Sequence, residues 1–153
     1  MADSTRTSAR KNDLVRQGLE RALDEQLRRL AEGDASPGQL RELIRYYLST
    51  EHRDRPDAGC ASAALLPEIG RQPRIIRKAY TARMRQFFQQ LVRRLPQNTA
   101  SRTSHDTAMG IFAVLVGALQ LARAVEDRFM SDAILAAGIR AANTLADTAE
   151  EKR

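Results

Sequence analysis

The chain contains no tryptophan, one cysteine, two histidines and only three tyrosines and four phenylalanines. Each scarcity removes a class of chemistry. A lone Cys60 can form neither an internal disulfide nor a cysteine-cluster metal site, and points to a reducing, cytoplasmic location. His52 sits beside Arg53 and Asp54, and His105 precedes Asp106; neither has a second ligand at metal-binding spacing. A glycine-rich phosphate loop, a GxSxG elbow and an HExxH helix are all absent. No catalytic residue, metal ligand or cofactor is therefore assigned, and the chain is not expected to be an enzyme. Long apolar runs are also missing. Thr107 to Ala122 is the longest, is shorter than a bilayer span needs and is interrupted by Gln120 and Arg123, so no membrane partner is expected. Met1 to Arg10 is polar and has no signal-peptide core.

What remains is rich in Ala, Leu, Arg and Glu, all good helix formers, over 153 residues with 29% charged and 42% apolar side chains. One all-α domain follows. The net charge of +6 is spread along helical segments rather than gathered in one block. Many arginines have an acid one turn away, as in Glu20 to Arg29, so the charge is read as solvated helix faces that add at most sequence-indifferent affinity for phosphate.

Residues 1–11 read as a disordered tail, and 12–149 as one domain of six helices. The first helix is expected over about 13–32, with a Leu19, Leu23, Leu27, Leu30 stripe and Gly33 as its left-handed stop. Ser36-Pro37-Gly38-Gln39 combines an N-cap serine, a proline at the first position and a glutamine three residues on. It starts a second helix that ends before a polar loop, Glu51 to Ala58. A third begins near Gly59-Cys60 and meets Pro67, which predicts a kink or an early stop. The fourth runs from about Pro73 to Leu95, and Pro96 to Arg102 is a connector. The fifth, about 104–127, is capped by Thr103, and the sixth, about 132–148, by Ser131.

The fifth helix is apolar all round and must be covered on both sides. Gly110, Ala113, Gly117 and Ala124 form a small-residue side with Leu121 nearby, matched on the sixth helix by Gly138, Ala141 and Ala142 beside Ile134 and Leu145. These residues either pack the helix against its own chain or, as preferred here, join two chains in a symmetric four-helix bundle. The opposite side, with Phe112 and Val116, would face Tyr47, Cys60, Met84 and Phe87. An aromatic and sulfur-rich set of this kind lines apolar pockets but also makes plain core. Cys60 is either a thiol activated at a helix N-terminus or a small buried residue.

Gly117-Ala-Leu-Gln-Leu-Ala-Arg123, with His52 to Cys60 and Gly59-Cys60-Ala-Ser-Ala-Ala-Leu65, resembles motifs in the effector-binding and dimerisation core of TetR-type transcriptional regulators. Lys11-Asn-Asp-Leu-Val15 is similar to the point in that family where the connector from the DNA-reading domain begins. The resemblance implies a homodimer formed by the last two helices and a small hydrophobic effector in a pocket lined by Tyr47, Cys60, Met84, Phe87, Phe112 and Val116. It also implies a first helix that acts as a lever. The family's helix-turn-helix has no counterpart in this chain, so DNA contact is expected only through a domain absent from it, and Pro67 departs from the family's usual helix. Two other readings stand beside this one: a stand-alone helical dimer that buffers a hydrophobic molecule, and a partner that forms inactive mixed dimers with an intact regulator.

Overall fold

A computed structural model describes residues 2–32, 35–95 and 101–151, with side chains over 10–32, 35–57, 59–95 and 103–148. Among the described residues every regular element is helical. The elements are α1 (Ala2–Ala31), α2 (Pro37–Tyr47), α3 (Thr50–Asp54), a 3-10 turn (Pro56–Ala58), α4 (Ala61–Gly70), α5 (Arg74–Val92), α6 (Ser101–Ala124) and α7 (Arg128–Glu151). The fold class is all-α.

The periodic stripes become the core. Leu40, Ile44, Tyr47 and Leu48 from α2 and its end meet Phe87 and Leu91 of α5, and Ile111, Phe112, Leu115 and Leu119 of α6. A smaller cluster, Leu19, Leu23, Ile69 and Ile76, fastens α1 to α4 and α5. The longest packings are α6 along α7 and α1 along α5, with α6 also touching α2, α3, α4 and α5. By length and composition Thr103–Ala124 could cross a bilayer, which is longer than the apolar run read from the sequence. In this fold it is the central helix, with Ala108, Ile111, Phe112, Leu115, Val116, Leu119 and Ala122 buried.

Several boundaries differ from expectation. Helix α1 starts at Ala2, where a tail was expected. The polar loop after α2 contains α3, capped by Ser49 Oγ accepting from the His52 N–H at 3.1 Å. Thr103 lies inside α6, which starts at Ser101. Ser131 is not the cap of the last helix. Asp127 Oδ1 accepts from the Phe129 and Met130 N–H groups at 2.8 and 3.2 Å, and Ser131 turns inward to donate to the Ala122 carbonyl at 2.6 Å. At α2 the Ser36 hydroxyl accepts from the Gln39 N–H, as its motif requires. The Gly33 stop and residues 96–100 of the connector lie outside the described residues.

Pro67 sits inside α4, and the helix continues past it to Gly70. Proline has no N–H to return to the Ala63 carbonyl, and its ring crowds that oxygen. The Gln120 side-chain amide of α6 supplies the missing donor to Ala63. Arg123, one turn on, does the same for α3, donating to the carbonyls of His52 and Arg53 at 2.8 and 3.1 Å. The two polar residues that interrupt α6 are thus cross-braces to helix carbonyls.

Candidate functional site

A cavity of about 520 Å³ opens between α1, α2, α5 and the segment 57–60, within the range of ~300–1,000 Å³ usual for small-molecule sites. Ala22, Gln26 and Leu30 of α1, Leu43, Tyr46 and Tyr47 of α2, Phe87 of α5 and Cys60 form much of its wall. Of the six residues expected to line a pocket, Tyr47, Cys60 and Phe87 do so. Met84, Phe112 and Val116 are buried in the packed core outside that wall. Phe112 is held in an aromatic cluster, its centroid 4.8 Å from Phe87 and 5.8 Å from Phe88. Met84 Sδ accepts from Ser62 Oγ at 3.8 Å, and Ser62 also bonds the Tyr80 hydroxyl at 3.0 Å.

The wall is more polar than an aromatic and sulfur-rich set suggests. Glu25, Gln26, Arg29, Gln39, Glu42, His52, Asp57 and Arg94 also reach it. Gln26 donates its amide to Cys60 Sγ at 3.1 Å, while its Oε1 is buried with no hydrogen-bond partner. The Tyr47 hydroxyl is likewise buried, with the Cys60 thiol as its polar neighbour and no well-aligned hydrogen bond. Burial, followed by the neighbouring Cys60 thiol, pushes the Tyr47 phenol well above its ordinary pKa. Native folds seldom leave such groups without partners. Arg94 is 2% exposed and donates to the carbonyls of Gln90 and Leu30, joining the ends of α5 and α1.

One end of the cavity is built by His52 and Gly59. The ring Nδ1 lies 2.7 Å from the Tyr47 carbonyl and Nε2 lies 3.1 Å from the Cys60 N–H. A carbonyl only accepts and an amide only donates, so the imidazole is neutral with its proton on Nδ1. Burial is the main cause of its depressed pKa, Arg123 adds to it, and the Tyr47 carbonyl opposes it. A Cβ on residue 59 would lie 2.5 Å from His52 Nε2, so only glycine leaves room for the ring. Tyr46 lies nearly parallel to His52, with centroids 6.0 Å apart, at the outer rim.

The same segment is tied to the α6–α7 hairpin. Buried Arg53 reaches Ser131 Oγ at 2.9 Å, Asp132 Oδ1 and Asp54 Oδ1, while Arg128 meets Asp54 at 3.1 Å. Hydrogen bonds from Arg53, then from Arg128, hold the Asp54 carboxyl down at about 2.

The residues expected at a dimer interface fall into two groups. Gly138 lies inside the chain, where a Cβ would sit 2.7 Å from Ala118 Cβ and 2.8 Å from Leu48 Cδ1. Gly110 faces Leu145 of the same chain, and Ile134 and Leu145 pack on the core. Ala113, Leu121 and Ala141 are exposed, and nothing lies within 4 Å of a Cβ placed on Gly117. Helical spacing puts Met109 in line with this α6 set, and Met130, Ala133 and Ala137 in line with Ala141 on α7. Exposed Asp106 and Arg140 border this face at the same helical spacing.

Searches against models of known protein families and against curated proteins found no match.

Proposed function

We propose that this chain is the effector-binding and dimerisation part of a TetR-type regulator, acting by binding rather than by catalysis. It pairs with a second copy and takes a small, mainly hydrophobic molecule in the cavity against α1. The cavity carries this reading, because it lies between α1 and the rest of the core, where an occupant bears directly on the expected lever. Its residues His52, Gly59 and Cys60 belong to the segment that Arg53 and Arg123 tie to α6 and α7. A ligand that favours one placement of α1 can therefore bias the dimer as a whole. Reading of DNA belongs to a domain other than these residues.

The second copy would sit on the outward face of α6 and α7. A mainly apolar face of Met109, Ala113, Gly117, Leu121, Met130, Ala133, Ala137 and Ala141, bordered by Asp106 and Arg140, suits an isologous contact. The stand-alone dimer that buffers a ligand shares both features and differs only in having no DNA-reading partner domain.

The neutral dye N-phenyl-1-naphthylamine tests the cavity. Saturable fluorescence enhancement is expected, and its loss in Ala22→Trp, which adds an indole to the wall without disturbing the core. Enhancement that does not saturate, or that survives the added ring, would remove the proposal.

A further inference from the structure

We infer that the outward face of α5 is a docking surface for the phosphate backbone of duplex DNA, which it holds without reading the sequence. This is independent of the cavity and goes beyond the proposed function, which leaves the reading of DNA to other residues. The sequence sets it up. Between Glu68 and Asp106 there is no acidic residue, and the nine arginines and lysines of that stretch exceed the net charge of +6, so the rest of the chain is net acidic. Helix α1 is built the opposite way, with Arg16, Arg28 and Arg29 each paired to an acid one turn away.

The fold turns this imbalance into one face. Ile76, Met84, Phe87 and Leu91 bury one side of α5 and hold it against the core, and helical spacing puts Arg74, Lys78, Thr81 and Arg85 on the opposite side. All four are exposed, as are Arg77 on the flank and Arg71 and Arg93 at the two ends. Arg83, on the inner side, is held by Asp24 and Glu20 of α1 at 2.8 and 3.8 Å. The six exposed cations make no ion pair among the described residues. From Arg74 to Arg85 the stripe is about 16 Å long, the axial rise of about five nucleotides of one strand. What lies between the cations selects the partner. Thr81, Gln86 and Gln89 are exposed there, and threonine and glutamine join arginine in hydrogen-bonding phosphate oxygens. A protein partner asks for an apolar anchor at the centre of the contact, and a bilayer for side chains that enter its acyl boundary. The one large apolar residue exposed on α5, Ile75, stands in its first turn. A single strand asks for rings on which bases stack, whereas Tyr80, Phe87 and Phe88 pack into the core.

Fluorescence anisotropy of a short labelled DNA duplex of arbitrary sequence, titrated with the full chain over a series of salt concentrations, tests this. The logarithm of the binding constant should fall against that of the salt concentration with a slope of about −3 to −4, the value for four phosphate contacts. Unlabelled duplexes of other sequences should compete equally. The triple variant Arg74→Gln/Lys78→Gln/Arg85→Gln should bind at least about tenfold more weakly at low salt and make the slope shallower by about 2–3. The set Arg21→Gln/Arg45→Gln/Arg55→Gln removes the same charge at exposed positions off α5 and should keep most of the affinity and slope. Equal losses from the two sets would assign binding to net charge rather than to this face and overturn the inference. So would no binding at low salt, tighter binding to a single strand or an RNA duplex, or tighter binding to phosphatidylglycerol vesicles than to the duplex.

Discussion

Gln120→Leu isolates a single hydrogen bond between two helices. Ala63 is fully buried, and Pro67 has no N–H to give its carbonyl, so Gln120 is the donor that the helix itself lacks. Removing it leaves a buried acceptor unsatisfied, which costs about 1–3 kcal/mol. Pro67→Ala restores an N–H at the position that serves Ala63 and relieves the ring's crowding. That gain, ~3 kcal/mol by intrinsic preference, is offset by roughly 0.4–1 kcal/mol because the unfolded chain becomes freer. With the backbone donor present, losing Gln120 matters less. A double-mutant cycle should therefore give a coupling energy of about 1–2 kcal/mol between positions 67 and 120. Urea denaturation at one fixed protein concentration measures all four corners, since the proposed dimerisation would make apparent stability concentration-dependent. If Gln120→Leu costs as much in the Pro67→Ala background as in the parent chain, the side chain is not standing in for the missing amide and this explanation of the uninterrupted α4 is wrong.

Gly59→Ala places a Cβ against the His52 ring, so stability should fall by about 1–3 kcal/mol; a denaturation midpoint equal to wild type would show that the ring moves aside freely. Because the folded-state pKa of His52 lies below its ordinary 6.5, both states hold a neutral ring above about pH 7 and this residue adds no slope there. As pH falls through 6.5 the unfolded chain binds its proton first, so stability should drop until the lower folded-state pKa is reached; His52→Gln should flatten that part of the profile, and an unchanged slope would assign it elsewhere. Gly117→Arg sets a charge on the outward face of α6, where nothing in the same chain blocks it. Sedimentation should then report monomer for the variant and dimer for wild type, whereas a monomeric wild type at micromolar concentration would remove the second copy from the proposal.

The main helices were legible in the sequence because each buries one face, and the Leu19 to Leu30, Leu40 to Leu48 and Ile76 to Leu91 stripes repeat at helical spacing. The α2 start was legible because Ser36 and Pro37 form a cap of known chemistry. Helix α3 was not, since five residues hold no periodic signal and their position depends on Arg53 and Arg123 reaching distant partners. The small-residue faces told that a backbone comes close, as at Gly138, but not whose backbone it is. Half of the expected pocket residues reach the cavity for a related reason. Aromatic spacing marks a core, whereas a void is bounded equally by Ala22, Gln26 and Glu42, which lie on no apolar stripe. Gln120 and Arg123 were visible as interruptions of α6, and only the carbonyls opposite them explain why they are there.

The coupling of cavity to lever is tested most directly by the distance between the two α1 helices of a dimer. A spin label at Leu14, which is 72% exposed, can be placed as Leu14→Cys in a Cys60→Ser background and read by double electron–electron resonance. Saturation with a ligand shown by calorimetry to fill the cavity should move the interspin distance distribution to a new maximum. A distribution that stays unchanged while the cavity is saturated would contradict a sensing role and leave a dimer that only holds its ligand.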